Sequence, residues 1–167
     1  GTKTYLKGLY GSLIKNNTDT QFFLASSKPD RLAREFTESQ NVHYIQYSSA
    51  NKYVRLSWDI PSKIRKYNID VAHFQYISPV IKDCYEVLTI HDLLFMDFPH
   101  YFPSNYKLTK NYLFERSARR ADCVTTVSGY SKEALVRHYK VAEDKIAVTP
   151  NGVLDLYWEN SERLIDI

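Results

Sequence analysis

A chain of 167 residues, 44% hydrophobic and 25% charged, with a formal net charge of +3, has the size and composition of one globular domain with a substantial core. Its uncharged apolar runs are a few residues long, against the roughly 20 a spanning helix needs, and no basic-then-apolar leader opens it. We therefore expect neither disorder nor a membrane span, and a cytoplasmic location. The two cysteines, Cys84 and Cys123, lack metal-ligand spacing and read as reduced core thiols. Fourteen tyrosines are a high number, and they suit either surfaces that stack on sugars, bases or lipid headgroups or simply a tyrosine-rich core and surface.

Tyr5, Leu6, Leu9, Tyr10, Leu13 and Ile14 recur at i, i+3 and i+4, which predicts a helix from Gly1 to Ile14. Thr20 to Ala25 reads as a strand, Pro29 to Ser39 as a helix with proline near its first turn, and Val42 to Tyr47 as a second strand. Lys52 to Tyr67 is helical, with an interruption expected at Pro61. Ile69 to Tyr76 and Tyr85 to Ile90 are the third and fourth strands. Ser104 caps a long helix that runs to about Arg120, and Cys123 to Val127 is a strand. Ser131 to Tyr139 is a helix with Ser128 or Ser131 as its N-cap, and Ile146 to Val148 is a last short strand.

Strands alternating with helices through short loops imply parallel pairing and right-handed crossovers. The expected fold is α/β, a doubly wound, mainly parallel sheet with helices on both faces. Such sheets nearly always open on a strand, so the leading helix points to an initial strand that this sequence lacks. Residues 1–153 are expected to form one domain, and 154–167 a linker or terminal helix.

Three strands end in polar or small residues: Tyr85 to Ile90 runs into His91-Asp92, Cys123 to Val127 into Ser128-Gly-Tyr-Ser131, and Ile146 to Val148 into Thr-Pro-Asn-Gly152. Polar groups gathered at the carboxyl edge of a parallel sheet suggest a binding site there. An imidazole at His91 could donate to a substrate oxygen or a departing phosphate near neutral pH, or could serve as a capping or core histidine. Asp92 could accept from sugar hydroxyls, hold the imidazole, or only close its turn. With Asp97 and His100 nearby a metal reading arises, but no second histidine lies at tight ligand spacing, and no metal is expected.

No Gly-x-Ser-x-Gly elbow, Walker loop or Gly-x-Gly-x-x-Gly occurs, which removes the main support for ordinary hydrolase, P-loop and dinucleotide chemistry. A phosphatase-like hydrolase using Asp92 would want an Asp-x-Asp pattern and metal ligands, and neither is visible. Lys107, Lys110, Arg116, Arg119 and Arg120 make the 104–120 helix basic, but helical spacing spreads them around the cylinder. That favours a solvated helix over a nucleic-acid stripe, with acidic membrane headgroups or a phosphorylated acceptor as further candidate contacts.

Three segments, Thr89-Ile-His-Asp-Leu-Leu-Phe-Met-Asp-Phe-Pro99, Arg116-Ser-Ala-Arg-Arg-Ala-Asp-Cys-Val-Thr-Thr-Val-Ser-Gly-Tyr-Ser-Lys132 and Asp144-Lys-Ile-Ala-Val-Thr-Pro-Asn-Gly-Val153, resemble the amino-terminal domain of family 4 glycosyltransferases in order and spacing. Gly1-Thr-Lys-Thr-Tyr-Leu-Lys-Gly-Leu9 is similar to the family's first glycine loop and helix, with Thr2-Lys3 where many members carry a second glycine. The resemblance implies a GT-B architecture, two Rossmann-like domains facing across a cleft, and transfer of a sugar from a nucleotide donor with retention of configuration. The amino-terminal half of such enzymes mainly binds acceptor. The carboxyl-terminal half binds the nucleotide sugar through a basic pair and a Glu-x7-Glu motif, which nothing in this sequence matches.

Carried over by that resemblance, His91 lies against the donor sugar and is needed for transfer. Asp92, Gln75 and Tyr76 take acceptor-facing positions, Gly1 the loop near the donor pyrophosphate, and Ser128, Asn151 and Gly152 the cleft and hinge. The implied partners are a nucleotide-sugar donor, held mainly by a further domain, and a carbohydrate, lipid-linked or small-molecule acceptor, with no cofactor. The inner face of a membrane is a compatible location. The alternative is a non-catalytic sugar- or nucleotide-binding module on the same sheet.

Overall fold

The computed structural model describes residues 2–36 and 39–152, with the side chains of 104–106 outside that description. The chain divides into two compact units, Gly1–Ser48 with Asn151–Ile167, and Ser49–Pro150.

In the first unit, α1 (Thr2–Asn16) leads to strand β1 (Phe22–Ser26), a short helix α2 (Pro29–Ala33) and strand β2 (Val42–Gln46). The two strands pair in parallel, Phe22 opposite Val42. Asn41 is buried just before β2, and its side-chain N–H groups donate to the carbonyls of Asn17 (3.0 Å) and Thr20 (3.1 Å). That clip satisfies two loop acceptors and fixes the entry into β1. Lys3 and Lys7, one helical turn apart on α1, both pair with Glu35, at 2.7 and 2.8 Å. The helix expected to reach Ser39 ends at Ala33, where Glu35 and Phe36 take up turn hydrogen bonds to Leu32 and Ala33. The part of that expectation on residues 37–38 lies outside the described residues, as does the tail 154–167.

The second unit opens on a helical run that changes character along its length: α3 (Lys52–Val54), a π-helical segment (Arg55–Asp59) and α4 (Ile60–Lys66). Proline at 61 was expected to interrupt this run, and the interruption takes the form of a widened turn. Ile60 N–H reaches back to the Arg55 carbonyl, i to i−5, so the missing N–H of Pro61 falls in the first turn of the next α segment, where no partner is required. Asp59, almost fully buried at the junction, is held by the Lys63 ammonium at 2.5 Å.

Strands β3 (Val71–Gln75), β4 (Tyr85–Thr89), β5 (Cys123–Thr126) and β6 (Ile146–Val148) then form a parallel sheet in chain order. Helix α6 (Ser104–Arg120) connects β4 to β5, and α7 (Gly129–Tyr139) connects β5 to β6. Between β4 and α6 the aromatic loop folds into one turn of α5 (Leu94–Asp97) and a 3₁₀ turn at Pro99–Tyr101. The α/β class with parallel strands and intervening helices is borne out. Within the first unit β1 and β2 make a two-stranded sheet, and within the second β3 to β6 make a four-stranded one.

The core of the second unit follows from the two-residue period of its strands. Register places Phe74, Leu88, Val124 and Ile146 in one row across the sheet. This row packs with Phe114 and Ala118 of α6 and Ala134, Leu135 and Tyr139 of α7. The alanines let helix backbones come close to the sheet, and each fully buried leucine or isoleucine stabilises by about 1.5–3 kcal/mol. The arginines of α6 tie its far end to the rest of the unit. Arg116 and Arg120 donate to the carbonyl of Val80 (3.0 and 2.6 Å), and Arg119 to that of Tyr139, at the last turn of α7 (3.1 Å).

Candidate functional site

The face of the sheet opposite that core row carries a polar row toward its carboxyl end. Gln75, Thr89 and Thr125 stand at one level across β3, β4 and β5, with His73 two residues earlier on β3. Their side chains join. Thr125 and Thr89 hydroxyls lie 2.6 Å apart, and the Thr89 hydroxyl lies 2.6 Å from His73 Nε2. The Gln75 amide nitrogen lies 3.2 Å from the same His73 nitrogen. Gln75 Oε1 faces His91 Nε2 at 2.8 Å. His91 itself leaves the carboxyl end of β4, an interior strand, two residues past Thr89 and is half-buried. The row therefore runs from the half-buried Thr125 through the fully buried Thr89 to an imidazole at the rim.

Three further features fix that rim. The Ser131 hydroxyl, buried in the first turn of α7, donates to the His91 carbonyl at 2.8 Å. The Ser128 side chain caps α7 by accepting from Ser131 N–H at 3.2 Å, which identifies the N-cap between the two serines. Tyr76 follows β3 at a φ of 61°, with Ile77 N–H donating across it to the Gln75 carbonyl at 2.7 Å. This is the strained kind of three-residue turn, and it lies at the end of the polar row. It sends the Tyr76 ring onto Phe114, centroids 4.8 Å apart, and to 5.7 Å from the His91 ring.

Burial sets the charge state of both histidines. It lowers the pKa of His73 to about 4, with a smaller push from His91, so that ring is neutral at neutral pH. Burial also lowers the pKa of His91, against the Asp92 carboxylate, which raises it. Neutral imidazoles are both donor and acceptor, which is what a hydrogen-bonded row requires.

Of the residues singled out from the sequence, His91, Gln75 and Tyr76 come together. Asp92 adjoins them, and its carboxylate accepts from Leu94 N–H at 3.2 Å, so it closes the turn into α5 as well as biasing His91. Ser128 stands one turn away as a helix cap. Asn151 and Gly152 are exposed beyond β6, and Gly1 lies outside the described residues. Asp97, weighed with His100 for a metal, instead accepts from Tyr130 (2.8 Å), Arg137 (2.7 Å) and His138 (2.8 Å), tying the aromatic loop to α7. Hydrogen bonds from His138 first, then Tyr130 and Arg137, hold its carboxyl below the usual range. Among the described residues no group of three His, Cys, Asp or Glu side chains could hold a metal ion. Cys84 and Cys123 are unpaired and half-buried.

Sequence reasoning missed His73, Thr89, Thr125 and Ser131. A signal existed for the first: His73 and Gln75 are two apart on a strand, hence on one face, and share the parity of His91's strand partners. The roles of the threonines and of Ser131 depend on cross-strand register and a helix start 40 residues away, which no local pattern carries.

An α/β unit that lines the carboxyl edge of a parallel sheet with neutral polar groups is the kind of scaffold that binds small polar ligands. Glycosyltransferase Family 4 matches residues 1–154, and the chain belongs to that family. Seven chains of solved structure match. One of them, a glycosyltransferase from Rickettsia africae ESF-5, is similar at a TM-score of 0.55 and 20% identity over 98% of this chain, a likeness of fold. The match covers 43% of that protein, so this chain spans less than half its length. No curated protein matches. Among the described residues no helix is long and apolar enough to cross a membrane.

Proposed function

We propose that the chain is the acceptor-side domain of an enzyme that transfers a sugar from a nucleotide-sugar donor to a carbohydrate, lipid-linked or small-molecule acceptor, with retention of configuration. Membership of family 4 supports sugar transfer. The observation that carries the site assignment is the half-buried His91 at the end of an interior strand, hydrogen-bonded to Gln75 and pinned through its carbonyl by Ser131. In this reading the His91 ring hydrogen-bonds the donor sugar, while Gln75, Tyr76 and Asp92 border the acceptor. No metal or cofactor takes part, and the nucleotide sugar is a substrate.

Transfer of this kind needs donors from both sides of a cleft around a developing oxocarbenium ion and a departing diphosphate. The 167-residue chain by itself is accordingly expected to turn over little or nothing, and efficient transfer by the purified chain would contradict that. The decisive experiment is His91→Ala in the full-length protein, with folding and donor binding measured alongside transfer. Loss of transfer by about 10²-fold or more, with both kept, supports the enzyme. Unchanged transfer removes His91 from the mechanism and favours a binding module.

A further inference from the structure

We propose that His73 and Gln75 are positioning residues: the Gln75 side-chain amide, anchored on His73, Thr89 and Thr125, forces the two imidazoles into opposite tautomers and holds His91 with its proton on Nε2. A primary amide presents one acceptor and one donor face, and here each face meets an imidazole Nε2. The carbonyl oxygen lies 2.8 Å from His91 and the nitrogen 3.2 Å from His73. The oxygen can only accept, so His91 Nε2 carries a proton. The nitrogen can only donate, so His73 Nε2 carries a lone pair and its proton sits on Nδ1. Thr89 donates to that same lone pair at 2.6 Å and accepts from Thr125 at 2.6 Å, which closes the chain with every hydroxyl oriented.

The direction of the amide matters because turning it over would exchange the two tautomers. The two contact lengths suit the present sense, 2.8 Å at the amide oxygen being an ordinary N–H···O distance and 3.2 Å at its nitrogen the longer N–H···N one. His73 acts on His91 through Gln75.

The consequence for chemistry rests on the transferase reading. A neutral His91 protonated on Nε2 has its lone pair at Nδ1, and the ring would give no second proton to a departing phosphate. The tautomer assignment itself does not rest on that reading, because it is read from the protein without substrate.

The test is long-range nitrogen–proton correlation NMR on the whole 167-residue chain with labelled histidine, at neutral pH. The expected result is His91 protonated on Nε2 and His73 on Nδ1. The second half is the demanding one, since the Nδ1 form is intrinsically the less favoured. Gln75→Leu should return His73 toward its Nε2 form. Gln75→Glu, which offers acceptors to both rings, should put a proton on Nε2 of each. Both rings in the same tautomer in the unmodified chain, or His73 unmoved in both variants, would overturn the proposal. Should one variant fail to fold, the other and the unmodified spectrum decide. Failure of transfer to depend on His91 would leave the tautomer result standing, so the two readings fail separately.

Discussion

The turn at Tyr76 makes a sharp stability prediction, because only its backbone angle is at issue when two small residues are compared. At a φ of 61° an L side chain costs roughly 1–2 kcal/mol that glycine does not incur. Glycine in turn loses about 0.5–1 kcal/mol more than alanine when the chain orders. The difference leaves Tyr76→Gly more stable than Tyr76→Ala by up to about 1.5 kcal/mol, the reverse of the order in ordinary strands and helices. Both variants forfeit the ring that stacks on Phe114 at 4.8 Å, so that loss cancels in the comparison. Urea unfolding at equal slope would read the difference directly, and a thermal midpoint higher by about 2–4 °C per kcal/mol should accompany it. If alanine proves as stable as glycine or more so, the Gln75–Ile77 turn is not strained.

Three other outcomes follow from the same geometry. His73, depressed to about 4 from an ordinary 6.5, gives stability that is complete above the ordinary value and lost as pH falls toward the depressed one, because the unfolded chain takes up a proton the folded ring refuses; acid unfolding of His73→Gln should be flatter through that window. Glu86 is fully buried, and burial raises its pKa against Arg120, Lys82 and the Ser78 hydroxyl, which lower it. Its folded value is the higher, so its contribution is complete below the ordinary carboxylate range and is lost as pH rises, and Glu86→Gln should stabilise at neutral pH by about 1–3 kcal/mol. A less stable Glu86→Gln protein would show that attraction to Arg120 outweighs burial. Ser131→Ala should cost about 1–2 kcal/mol by removing the donor to the His91 carbonyl, and hydrogen exchange at residues 91–94 should rise, whereas unchanged exchange would mean that α7 does not hold the rim.

Most strands and helices were legible in the residues, since that information is local. Apolar periodicity marked α1, proline near its first turn marked α2, and a serine at 128 or 131 announced the start of α7. The sequence by itself also determined that His91 would emerge from the end of an interior strand, because a buried run that stops at a His-Asp pair leaves little else for the chain to do. Pro61 was legible as a disturbance, but whether a helix breaks or widens into a π turn depends on packing around Asp59 and Lys63. Packing decided which strands are neighbours, β1 with β2 and β3 to β6 in chain order, since a strand's hydrogen-bonding edge has no signature in its residues. It also decided that Gln75, Thr89 and Thr125 stand level, that Asp97 turns to α7, and that a serine 40 residues on grips the His91 carbonyl. Register and helix placement are set by the sum of many contacts between distant segments, and a one-residue slip would have scattered the row to the opposite face.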